Sequence, residues 1–184
     1  MYTKTRISTD IKVEDYVENY VDVDKYLQYC KNCSAYNSNW SCPPFDFNPL
    51  DIWNSFNDLK IEALKIDFSE DIVKKTFSKN GLVFISNYVK TEKDNLKQIL
   101  YNYENQYKNS LALFFGQCDL CDSCSRKNNN ECLFPDKSRY SIESLGGNVD
   151  QFIEDTFGYK ILWVDENKVP EYLIYVGGLL YNKK

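Results

Sequence analysis

The 184-residue chain contains no histidine, and that absence removes several chemistries at once. Without imidazole there is no Ser-His-Asp or Cys-His catalytic unit, no His-ligated zinc and no His-ligated haem. Also missing is any apolar run near the ~20 residues that span a bilayer, so no membrane association is expected. The opening MYTKTRISTDIKVEDYVENY lacks the continuous apolar core of ~7–15 residues of a secretory signal, which makes a cytoplasmic chain the expectation. Glycine is scarce, at 7 residues, and Gly146–Gly147 and Gly177–Gly178 are isolated pairs, not a loop that cradles phosphate. Positive charge is also short: a formal net charge of −5 opposes the concentrated basic surface that grips nucleic acid, and none is expected as a partner.

Cysteine, by contrast, is abundant and clustered. Four of the 7 cysteines lie in GQCDLCDSCSRKNNNECLFP (116–135), and the other three in CKNCSAYNSNWSCPPF (30–45). A chain of this length buries enough surface to fold without covalent staples. A cytoplasmic compartment disfavours persistent disulfides, and an odd count would leave one thiol unpaired. Burial as small hydrophobes does not suit a segment flanked by Asp119, Asp122, Ser123, Ser125 and Arg126. A redox-active CxxC would leave Cys42, Cys124 and Cys132 without a role.

Metal binding accounts for all of them. Two residues between cysteines let the backbone curl around one ion or cluster face with its amides turned toward the sulfurs. Three thiolates at that interval (Cys118, Cys121, Cys124), with a remote fourth (Cys132) near a proline, resemble a cubane iron–sulfur loop more than a paired zinc site. The ferredoxin run has three residues before its last cysteine; this chain has seven. Two partitions follow. Either Cys118, Cys121, Cys124 and Cys132 close one centre and Cys30, Cys33 and Cys42 form a second with an open corner, or Cys132 joins Cys30, Cys33 and Cys42 and the run of three is left open. Three cysteines as bystanders to a single four-sulfur centre is the remaining possibility.

The rest of the chain reads as a single domain over 1–184, of class α+β: one sheet with helices packed on it and two cysteine-bearing loops. Helices are expected at 21–30, capped by Asp22 or Asp24, at Pro49–Phe56, at 91–108 behind a Thr91 hydroxyl cap, and at Val149–Phe157. Strands are expected at Lys60–Phe68, Gly81–Tyr88 (after an Asn80–Gly81 turn), Ser110–Phe115 and Glu171–Tyr181, the last with an irregularity at Gly177–Gly178. Strand, helix and strand over 81–115 suggest a crossover unit.

These segments together (CKNCSAYNSNWSCPPF, LALFFGQCDLCDSC, CLFP and SRYSIESLGGNV) resemble the predicted metal-binding proteins grouped as domain of unknown function 2284, from about Val21 to the last strand. The family's Ser-x-Glu-Ala-x-Gly-Ile stretch reads here with Ser144 for Ala and Gly147 for Ile. The resemblance implies metal binding, as an iron–sulfur centre, with the seven cysteines as ligands and no established reaction.

Around them, Trp40, Pro43, Pro44 and Phe45 form either an apolar collar or a packed turn. Arg126, Lys127, Lys137 and Arg139 either balance a cluster's charge or are solvated. Glu143 is a candidate oxygen ligand or proton carrier, although a helix-surface carboxylate or an ion pair with Arg139 four residues away is the stronger expectation. The 15 tyrosines receive no function. Three functions remain open: a 4Fe–4S iron–sulfur protein working in electron transfer with a protein redox partner, a zinc-stabilised four-cysteine interaction module, and an enzyme activating a small substrate at an incompletely ligated cluster.

Overall fold

The alternation in KIEALKIDF does form a strand, and a more central one than its half-buried pattern suggests. The computed structural model describes residues 1–74, 81–164 and 168–183, and in it β2 spans Asp58–Phe68. Leu59, Ile61 and Ala63 point to one side and Leu64, Ile66 and Phe68 to the other, all buried. β1 (Tyr2–Lys12) pairs antiparallel with β2 along its whole length. β4 (Tyr172–Tyr181) pairs antiparallel on the other side, and β3 (Leu111–Leu113) pairs antiparallel with β4. The sheet order is β1-β2-β4-β3, an α+β arrangement as expected.

Helices cover both faces of this sheet. On one lie α1 (Val13–Tyr20), α3 (Pro49–Trp53) and α7 (Val149–Phe157), which contribute Tyr16, Trp53 and Phe152 to the core. On the other lie α4 (Glu70–Val73), α5 (Gly81–Tyr88) and α6 (Lys90–Gln106), which contribute Ile72, Ile85, Leu96 and Leu100. α2 (Val23–Lys31) stands at the edge of the first layer with no fully buried residue.

Several expectations need correction. Gly81–Tyr88 is a helix: Phe84 stacks on Tyr88 with ring centroids 5.5 Å apart, Ile85 and Val89 are buried, and these neighbouring i, i+4 pairs share one side of a helix, whereas a strand would send the adjacent Phe84 and Ile85 to opposite faces. Asn80, the first half of the expected turn, lies outside the described residues. α6 begins at Lys90 behind a buried Val89 and has no side-chain cap, so Thr91 sits inside the first turn. The crossover runs instead from β2 through α6 to β3, two strands that are parallel to each other with β4 between them. β1 and α1 were not foreseen.

Gly177–Gly178 does not interrupt β4, which stays paired with Glu62 and Ile61 through both positions. The pair serves close approach. A Cβ on Gly177 would stand 2.5 Å from Leu100 Cδ1 and 2.7 Å from the Leu113 carbonyl oxygen, so the missing side chain is what lets α6 and β3 settle against the sheet.

Candidate metal centre

Both cysteine segments start from regular structure. Asp22 caps α2, its Oδ1 accepting from the Lys25 amide at 3.0 Å, and the helix carries Cys30 into its last turn. The Cys33 amide then donates to the Cys30 carbonyl at 2.9 Å, and the Ala35 amide to Cys33 Sγ at 3.5 Å. Asn37 adopts φ 52°, a left-handed conformation that asparagine tolerates, and its amide donates to the Pro43 carbonyl at 2.8 Å. That bond folds the segment back so that Cys42 returns toward Cys33. The second loop springs from a closed neck: beyond β3 the Phe114 amide donates to the Tyr140 carbonyl at 2.7 Å, and Phe114 bridges Ser141.

The two loops are stitched together by short polar groups. Asn39 Nδ2 donates to the Cys118 carbonyl at 2.8 Å, and the Cys118 amide donates to Ser41 Oγ at 2.9 Å. Ser41 Oγ in turn donates to Asn39 Oδ1 at 2.9 Å. Arg126 reaches back across the gap, donating to the carbonyls of Asn39 at 3.0 Å, Cys42 at 2.5 Å, and Pro44. Its guanidinium lies 4.9 Å from the centroid of the Trp40 ring, and Trp40 Nε1 donates to the Asn130 carbonyl at 3.1 Å. Asn39 and Ser41 were not singled out from sequence. The signal was there: short side chains that bond to backbone, placed between two cysteines in a segment with no regular structure to occupy them.

The sulfurs fall into two groups. Cys118, Cys121, Cys124 and Cys132 line one small cavity, of about 10 Å³, with Asn39 and Trp40 of the first loop. Desolvation, then the charges of Cys118, Cys124, Cys132 and Asp122, raise the pKa of Cys121. In the other group burial raises Cys30, and Cys33 and Glu143 add to it. Burial pushes Cys42 up to about 11; Ser41's hydrogen bond and the Arg126 charge oppose this, while Cys33 and Cys30 reinforce it. Thiols that impede one another's ionisation mark a place where a cation is favoured, because its charge reverses the sign of the effect and releases the protons. Among the described residues, no three Cys, Asp or Glu side chains stand together as a ready ligand set. The donor chemistry, thiols gathered on two joined loops, nevertheless fits a thiophilic metal.

The flanking residues divide their duties. Trp40 lines the four-cysteine cavity, whereas Pro43, Pro44 and Phe45 border a separate cavity of about 150 Å³ with Val23 and Leu27. Phe45 stacks on Phe47, centroids 4.8 Å apart, and packs into the core. Of the four basic residues, Arg126 is used as the clasp, and Arg139 grips Glu104, with Nη2 to Oε2 at 2.7 Å and Nε to Oε1 at 2.8 Å.

Arg139 therefore does not pair with Glu143. Glu143 opens a 3-10 turn, Glu143–Leu145, and although the residue as a whole is only partly buried, its Oε2 is sealed from solvent with no hydrogen-bond partner among the described residues. Burial raises its pKa, while its own amide and Ser141 draw it down. The hydroxyl of Tyr16, likewise buried and unpartnered, has its pKa raised well above the usual value by burial and by the Glu143 charge.

Among the described residues no helix is long and apolar enough to cross a membrane. Neither a curated protein nor a solved structure matches the chain. The family of predicted metal-binding proteins grouped as domain of unknown function 2284 matches residues 14–181, and the chain belongs to that family.

Proposed function

We propose that this protein holds one or two iron–sulfur clusters through its two cysteine groups and exchanges electrons with a partner protein. The observation that carries the reading is the joining of the loops: hydrogen bonds between Asn39, Ser41 and Cys118 and the Arg126 clasp make the two groups one rigid unit. Cys132 lines the same cavity as the run of three, which favours Cys118, Cys121, Cys124 and Cys132 as a four-thiolate centre and Cys30, Cys33 and Cys42 as a three-thiolate one. A bound cluster would supply one-electron chemistry. The chain's part is to hold the thiolates, to offset their charge with Arg126, and to restrict water with Trp40 and Phe134, which also border the cavity.

The test is anaerobic purification followed by iron, acid-labile sulfide and zinc analysis. Brown protein with iron and sulfide in similar amounts is expected; colourless protein with stoichiometric zinc and no sulfide overturns the cluster assignment. One observation favours that second reading, a zinc-stabilised module. A cavity of about 10 Å³ between four thiols is of the order of one small sphere, closer to a single ion than to a cubane.

A further inference from the structure

We infer that the Glu143 carboxylate completes the Cys30, Cys33 and Cys42 group, making a three-sulfur, one-oxygen metal site separate from the four-thiolate centre. The inference rests on the metal-binding reading above. Its starting point is the sealed, unpartnered Oε2 of Glu143. Buried polar atoms in folded proteins nearly always find a partner, and an exception calls for a missing water or ion.

The turn that carries Glu143 is held against the helix that carries Cys30. The Asp22 amide donates to the Gly146 carbonyl at 2.9 Å, and Trp53 Nε1 donates to the Leu145 carbonyl at 3.0 Å. The Ser144 amide and Ser141 Oγ meet at 3.1 Å, as do the Ser141 amide and Ser144 Oγ. Gly146, at φ 88°, lies so near α2 that a Cβ would stand 2.8 Å from Val23 Cα. A turn fixed by this many bonds holds its carboxylate in one place, and the charge of that carboxylate is felt at Cys30.

Donor arithmetic points the same way. A tetrahedral ion takes four ligands, the first group offers three sulfurs, and the chain has no histidine to supply the fourth. The other carboxylate of that loop, Asp46, is exposed and acts on Tyr140. Glu143 is the acid whose turn packs on the helix that carries Cys30. The class of ligand is a thiophilic divalent cation that accepts one hard donor, as zinc and cobalt do.

The experiment is anaerobic cobalt and zinc titration of the reduced full-length chain, wild type against Glu143→Gln and Glu143→Asp, with folding followed by circular dichroism. Wild type is expected to bind two equivalents. Zinc X-ray absorption should then show about seven sulfurs to one oxygen over both ions, the oxygen at about 2.0–2.2 Å with the outer-shell carbon of a carboxylate behind it. Glu143→Gln should weaken one equivalent by at least about tenfold, the lower end of what even a supporting residue around a metal contributes, and shift the cobalt d–d band of that site; Glu143→Asp should restore part of both. Unchanged affinity and spectrum in Glu143→Gln overturn the inference and leave metal binding standing. Should the variants fail to fold, an all-sulfur shell in wild type, or an oxygen without the carboxylate carbon, overturns it equally. No bound cobalt or zinc in wild type overturns the inference, and the metal-binding reading falls with it only if the anaerobically purified protein also lacks iron and sulfide.

Discussion

Removing the Arg126 guanidinium should open the paired cysteine loops without unfolding the sheet. Its three acceptors are the carbonyls of Asn39, Cys42 and Pro44. A hydrogen bond to a charged group contributes about 1.5–3 kcal/mol. Because Arg126 is only partly buried and one fork serves all three acceptors, the low end applies, and the joint loss is about 2–3 kcal/mol. If that loss falls on local opening, Arg126→Ala raises the open population about 30–150-fold, at 1.36 kcal/mol per tenfold. The assay is alkylation of Cys42 in metal-free, reduced protein, read by mass spectrometry at fixed pH, beside a urea melt of the whole domain. Arg126→Lys should fall between, since an ammonium cannot span three carbonyls. A Cys42 labelling rate in Arg126→Ala within about threefold of wild type, well below the opening estimated above, would refute the clasp.

Two further outcomes follow from geometry already described. Gly177→Ala forces a methyl against Leu100 and the Leu113 carbonyl and should destabilise by about 1–3 kcal/mol as overpacking, a drop in Tm of about 2–4 °C for each kcal/mol in a chain of this size; an unchanged Tm refutes the close approach. Alkylation of Cys42 in metal-free protein should keep accelerating between pH 9 and 11, because a thiol whose pKa is raised from 9.0 to about 11 yields thiolate only as pH climbs through the higher value. At pH 8 the thiolate fraction is about 100-fold below that of an ordinary cysteine, partly offset by the greater nucleophilicity of a more basic sulfur, for a net slowing of about tenfold. A rate that levels off by about pH 10, as a thiol of pKa 9.0 would, contradicts the burial assigned to it.

Long periodic segments declared themselves in the sequence, and short or solvent-facing ones did not. The stripe of Leu96 and Leu100 placed α6, and the alternation in KIEALKIDF placed β2, because burial on one side imposes a period. GLVFISNY misled because a short apolar run fits strand and helix alike; the deciding pairs, Phe84 with Tyr88 and Ile85 with Val89, need the residue just beyond the run. β1 escaped notice because TKTRISTD is largely polar on both sides of an edge strand, whose apolar contacts are Tyr2, Ile7 and Ile11. At the site, the cysteine spacing was legible and the stitching was not: Asn39, Ser41 and Arg126 act across 77 to 87 residues of sequence, and no local pattern records that. Glu143 could be named but not placed, since its burial depends on α2 and on Trp53 closing over one short turn.

The insertion of β4 between β2 and β3 has a consequence for assembly. Among the described residues β3 finds its strand partner only in β4, which follows it in sequence, and the neck of the second cysteine loop hangs from β3. During synthesis both sets of thiols therefore emerge before the strand that locks them into the sheet. Until β4 emerges, the loop that carries Cys118 to Cys132 hangs from a strand that has not yet met the one it pairs with.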